Sequence, residues 1–142
     1  MTSIASAISY AAPAPRSKTA RSVIVGRVMS GIIALLLTAD ALFKFSTAKA
    51  VAEGTQQLGY TMDTIPVIGV VLLTCVILYV IPATSMFGAL LLTGYLGGAV
   101  ATHVRVHNPL FSHILFPTYV AAMVWGGLYL RNEKLRALVS FR

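Results

Sequence analysis

The sequence predicts an all-α membrane protein: a four-transmembrane-helix bundle with a short amphipathic helix between spans one and two. Three observations lead there. Only 11% of the 142 residues are charged and 57% are hydrophobic, where a soluble domain carries roughly 25% charged residues. Four apolar stretches follow one another, separated by proline, glycine or polar segments. The positive charge, a net +7, is also unevenly placed: Arg16, Lys18, Arg21 and Arg27 precede or open the first apolar run, and Arg131, Lys134, Arg136 and Arg142 follow the last. Eight of the eleven basic residues at two ends are a topology signal, and the clustered aromatics of a nucleic-acid surface do not accompany them, so nucleic acid is not an expected partner. Cys75 is alone, which excludes an intrachain disulfide and a CxxC redox pair and leaves a small buried hydrophobe.

Residues 1–22, MTSIASAISYAAPAPRSKTARS, contain no acid and no apolar periodicity. They read as a disordered cytoplasmic tail. A signal peptide needs an apolar core of roughly 7–15 residues, which is missing; an organellar presequence is the alternative. Residues 23–142 form a single four-helix domain. The first span runs from Val23 to Phe43, near the ~20 residues that a bilayer helix requires. Arg27 can extend to the headgroups from its inner end. Asp40, near the outer end, is costly against lipid. It has two partners to choose from: Lys44 at i+4 on the same face, or a cation on another helix.

In the hydrophilic connection 46–64, Ala48, Val51, Ala52, Thr55 and Leu58 recur at helical spacing. This predicts a surface helix capped by Ser46 or Thr47 and ended by Gly59, lying over the bundle mouth. The second span, Ile65–Ile81, has Pro66 in its first turn and Pro82 after it, positions where proline is tolerated or terminates a helix. Only IPATS separates it from the third span, which makes the two antiparallel neighbours with Thr84 or Ser85 as the cap. The third span carries Gly94, Gly98 and Thr102 in line, thickened by Gly97 and Ala101, a small-residue face suited to close helix packing. In the fourth span, Leu110–Leu130, Pro117 predicts a kink, Trp125 and Tyr129 suit an aromatic belt, and Ala122, Gly126 and Gly127 offer another close-packing surface.

By the positive-inside rule both termini are cytoplasmic, as expected of a multi-pass protein of the cell membrane. At a rise of about 1.5 Å per residue, Asp40 lies about 25 Å beyond Val23 and His103 about 27 Å beyond Ser85. His113 enters the fourth span from the same side. Asp40, Lys44, His103, Arg105, His107 and His113 therefore share one outer layer, with Thr102 and Tyr95 one turn and more below, on the inward side. The candidate catalytic cluster is Asp40, His103 and Arg105: an acid–base pair with an arginine to steer an anion or polarise a carbonyl. Lys44, Tyr95, Thr102, His107 and His113 are candidate substrate-binding residues. The three histidines also have a metal-ligand pattern, but an interfacial histidine is more often hydrogen-bonded, and no metal is assigned. Asp40 and Arg105 at equal depth suggest a mutual ion pair, since a lone charge is expensive there. No serine is placed to make a Ser/His/Asp arrangement.

The blocks GALLLTGYLGGAVATHVRV and HILFPTYVAAMVWGGLYLRNEKLRAL, the Asp40-Ala-Leu-Phe-Lys44 end of the first span and the Gln57-Leu58-Gly59-Tyr60 turn resemble the DoxX-like family of small integral membrane proteins. The resemblance covers roughly residues 22–138. It implies a four-helix membrane fold related to the membrane subunit of thiosulfate:quinone oxidoreductases. It further implies a redox-linked component acting on a quinone or similar lipophile, beside an oxidoreductase or other membrane partner subunit. Two other classes stay open: a non-enzymatic binding or assembly subunit, and a cofactor-free membrane enzyme using the outer-layer Asp/His/Arg cluster. No cofactor motif is present, and the sequence names no cofactor.

Overall fold

The computed structural model describes residues 16–46 and 49–139. These residues form six α-helices: α1 (Arg16–Phe43), α2 (Lys49–Gln57), α3 (Thr64–Val80), α4 (Ser85–Arg105), α5 (Phe116–Arg131) and α6 (Glu133–Val139), with a π-helical turn, Leu110–Ile114, before α5. Of the expected tail, residues 1–15 lie outside the described residues, and α1 already begins at Arg16.

Among the described residues, three helical stretches are long and apolar enough to cross a bilayer: Arg21–Phe43, Ser85–Arg105 and Leu110–Arg131. The fourth apolar helix, α3, has 17 residues, about 25 Å at 1.5 Å per residue against a hydrocarbon core of ~30 Å. α1 packs on α3 and α5, and α4 packs on the same two helices, so the four close into a bundle. Its centre is Ile33, Leu37, Leu72, Tyr79, Leu92 and Leu128, each at most 4% exposed. Outward, Leu35 and Phe111 are each 74% exposed, as a lipid-facing surface requires. Cys75 is a buried free thiol in the core.

Close approach falls on different glycines from those in the central line. A Cβ on Gly88 would run into the backbone of Leu78 and Tyr79, where α3 and α4 turn tightly about Pro82. A Cβ on Gly26 would stand 2.9 Å from the Gly127 carbonyl, and one on Gly127 would stand 2.6 Å from Ser30 Oγ. These two glycines let α1 and α5 touch. Gly126 meets only the Met29 side chain, and Ala122 is exposed. Gly94, Gly97 and Gly98 have nothing within 4 Å of a built Cβ. The packing role expected of that face is thus corrected: its small residues leave space.

Two local expectations also change. Pro117 does not kink a continuous helix; it is buried in the first turn of α5, where its missing N–H costs nothing, and the chain before it is wound as the π-helical turn. Thr84 stands at the cap of α4 but makes no capping hydrogen bond. Its hydroxyl donates back to the Leu78 carbonyl (2.8 Å) and that of Ser85 to Pro82 (3.1 Å), so both side chains serve the end of α3.

α2 fulfils the amphipathic pattern, with Val51, Ala52, Thr55 and Leu58 half-buried and Glu53, Gln56 and Gln57 exposed. Of its expected caps, Thr47 lies outside the described residues. Its end is a Schellman motif: Gly59 N–H bonds Gln56 O (2.9 Å), Tyr60 N–H bonds Thr55 O (3.1 Å), and Gly59 has φ +74°, a conformation natural to glycine. α6 was not anticipated. Asn132 starts it by accepting hydrogen bonds at Oδ1 from the backbone N–H groups of Lys134 and Leu135.

Candidate functional site

At the end of the bundle away from the basic segments, residues of α1, α3, α4 and α5 together with α2 line a cavity of about 890 Å³. Most of its wall is apolar, from Leu36 and Phe43 of α1, Ile65 and Ile68 of α3, and Val120 of α5. Val51, Gly54, Thr55 and Leu58 form the roof. Gly94 and Gly98 line it too, so the open glycine face creates room for a ligand.

The polar groups of the wall are Asp40, Lys44, Thr55, Tyr60, Tyr95, Thr102 and His103. Five of the eight residues singled out in the sequence are among them: Asp40, Lys44, Tyr95, Thr102 and His103. Arg105, His107 and His113 are not part of the wall.

Each group has a definite setting. Asp40 Oδ2 takes the Lys44 Nζ at 2.7 Å. The expected Asp40–Arg105 pair is therefore replaced by the shorter i,i+4 pair on one helix, which needs no second helix to bring it together. Arg105 is exposed and donates from Nη2 to the Leu58 carbonyl at 2.6 Å, with its guanidinium 6.0 Å from the Tyr60 ring centre. It ties the end of α4 to the end of the roof. Gly59 is fitted to that tie twice, by its positive φ and because a Cβ there would lie 3.3 Å from Arg105 Nη2.

Thr102 Oγ1 donates to the Gly98 carbonyl (2.9 Å), which leaves the Tyr60 hydroxyl to donate to Thr102 Oγ1 (2.9 Å). This is a second tie between roof and wall. His103 Nδ1 receives the Asn108 Nδ2–H at 2.8 Å, so the neutral ring keeps its hydrogen on Nε2. His113 meets His103 edge to face with centroids 5.8 Å apart, and its Nδ1 is 2.8 Å from Ser112 Oγ. His107 occupies a turn with φ 55° and is exposed. Among the described residues no three His, Cys, Asp or Glu side chains gather as metal ligands. The Tyr95 hydroxyl has no hydrogen-bond partner among the described residues, although its ring packs on the core.

Chemically, this is an apolar chamber with a polar end: the phenols of Tyr60 and Tyr95, one neutral imidazole and one carboxylate–ammonium pair. It offers donors to a carbonyl or hydroxyl headgroup and an oily wall to whatever carries it. Sequence reasoning missed Asn108, which sets the His103 tautomer, and Tyr60, which holds the roof. The turn His107-Asn108-Pro109 was a signal for the first, since Asn108 lies five residues after His103 and reaches back when the helix ends. The link between Tyr60, in the turn after α2, and Thr102 of α4 joins residues 42 apart in the chain, and no spacing rule reveals it.

Comparison with curated proteins and with solved structures gives no match. Residues 28–127 match the model of the DoxX-like family; these residues carry α3, α4, most of α1 and α5, and every residue of the cavity wall. The chain is a membrane-embedded protein that belongs to the DoxX-like family.

Proposed function

We propose that this protein binds a lipophilic small molecule with a polar headgroup, of the quinone type, in the chamber beneath α2. The observation that carries the reading is the Tyr95 hydroxyl, which lines a largely apolar cavity of about 890 Å³ without a hydrogen-bond partner among the described residues. A volume in that range suits a drug-sized ligand. Tyr95 and the His103 Nε2–H would donate to the carbonyl oxygens of the head, while Leu36, Phe43 and Val120 would hold its ring and tail. A redox role, with an oxidoreductase partner subunit exchanging electrons with the bound quinone, rests on the family's relation to quinone-linked membrane subunits.

The same reading makes the bundle a four-span protein of the cell membrane with both termini cytoplasmic. Supporting it, α3 lines the chamber through Ile65 and reaches Arg27 and Arg131 at the basic end through Tyr79. That reach from one end of the bundle to the other supports reading α3 as the fourth span.

Equilibrium binding of a decyl-tailed benzoquinone to the purified full chain tests the proposal. Saturable binding at one site per chain is expected. Tyr95→Phe and His103→Ala should each lower affinity about fivefold, the worth of one hydrogen bond of ~1 kcal/mol. Equal competition by a decyl chain without the quinone head would show that the chamber reads no headgroup, and would overturn the proposal.

A further inference from the structure

A second, smaller cavity of about 220 Å³ opens at the opposite, basic end of the bundle. Its wall is Arg27, Ser30, Gly31 and Ala34 of α1, Tyr79 and Val80 of α3, and Arg131 at the end of α5. Nothing lies within 4 Å of a Cβ built on Gly31, and Val80 is 53% exposed. The niche thus opens sideways, between α1 and α3, onto the surface that faces lipid.

Its two cations differ in how they are held. Arg131 is fixed: Nη2 donates to the Tyr79 carbonyl at 2.8 Å, the guanidinium stacks 4.9 Å from the Tyr79 ring centre, and Nε is buried without a hydrogen bond. Arg27 is exposed and makes no hydrogen bond or ion pair among the described residues. No carboxylate among them pairs with either guanidinium. The acid that follows in the chain, Glu133, pairs with Arg136 instead (3.7 Å). Exposed Arg21 and Lys134 add to the positive field at this end.

We propose that the niche holds the phosphate of an anionic phospholipid from the leaflet that meets the basic end. Two guanidiniums on different helices present planar N–H donors to phosphate oxygens, the geometry for which arginine is suited. Basic pockets between transmembrane helices at the cytoplasmic side recognise anionic headgroups on this principle. The floor of Gly31, Ala34 and Val80 leads the glycerol and acyl chains out between α1 and α3. The phosphate neutralises two charges that have no carboxylate partner among the described residues, and it bridges α1 to α5, so lipid binding stabilises the bundle.

The test is the melting temperature of the full chain in neutral detergent, after addition of phosphatidylglycerol, phosphatidylcholine or inorganic phosphate at equal phosphate concentration. A ligand that binds only the folded state raises it. Phosphatidylglycerol should raise it, and phosphatidylcholine, whose choline brings a cation into a basic cluster, should raise it by less than about half as much. Arg27→Gln should fold, since Arg27 makes no hydrogen bond or ion pair among the described residues, and should lose more than about half of the phosphatidylglycerol shift. Arg21→Gln, outside the niche, should keep the shift. The proposal is overturned by no shift with phosphatidylglycerol, by an equal shift with phosphatidylcholine, or by equal losses in Arg27→Gln and Arg21→Gln. An equal shift with inorganic phosphate would overturn the lipid as its source and leave a site for the free anion.

Discussion

Tyr79 is fully buried and joins three helices at once. Its hydroxyl donates to the Val124 carbonyl of α5 (2.9 Å) and meets Ser30 Oγ of α1 (2.9 Å), while its own carbonyl takes Arg131. Polar atoms in an apolar bundle persist when each finds a partner, and here each side chain supplies the other's need. Tyr79→Phe should strand the hydroxyl of Ser30, which is 6% exposed. It should lower stability by about 1–3 kcal/mol, visible as a lower melting temperature, whereas Tyr129→Phe on the exposed face should leave it unchanged. Neither Ser30 nor Tyr79 stood out in the sequence, because one polar atom in an apolar span has no periodicity to betray its partner. The outer layer was more legible. Rise per residue placed Asp40, Lys44, His103, Arg105, His107 and His113 in one outer layer, with Thr102 and Tyr95 below it; Asp40, Lys44, His103, Thr102 and Tyr95 line the chamber, and Arg105, His107 and His113 do not. Depth does not choose partners, however. Asp40 took the lysine one turn away, and Arg105 took a roof carbonyl.

At the scale of the helix, the glycines divide by what they meet. Gly88 is pressed on the α3 backbone and Gly127 on Ser30, while Gly94 and Gly98 face the chamber. Gly88→Ala should therefore disrupt the α3–α4 hairpin and lower the melting temperature sharply, because backbone cannot yield as a side chain can. Gly98→Ala should match or exceed wild type, since alanine is better than glycine in a helix by about 1 kcal/mol. A G-x-x-x-G line identifies a smooth face, and only the neighbouring helix decides whether the face is packed or left open. Elements themselves were easier to read. Pro66, Pro82 and Gly59 mark the ends of α3 and α2 by local backbone chemistry. α6 escaped because residues 133–139 carry six charged or exposed positions and just one buried anchor, Leu135.

Over the whole molecule, charge and shape run along one axis: a basic end with a niche between two arginines, and an opposite end with a roofed apolar chamber. Cysteines introduced at the exposed positions Gln57 and Lys134 report the orientation. In intact cells an impermeant thiol reagent should label the first and spare the second until the membrane is opened; the reverse pattern would invert the topology. The central claim is that the chamber beneath α2 is a ligand site, and Gly98→Phe addresses it most directly. Nothing stands within 4 Å of a Cβ at Gly98, and the residue lines the cavity, so a phenyl group there can occupy ligand space without wedging helices apart. The measurement is the affinity of the decyl-tailed benzoquinone for the folded variant, with the melting temperature as the check on folding. A wild-type melting temperature with binding weakened at least about tenfold, or 1.4 kcal/mol, is the predicted result. Undiminished binding to the folded variant would contradict the claim and place the ligand elsewhere.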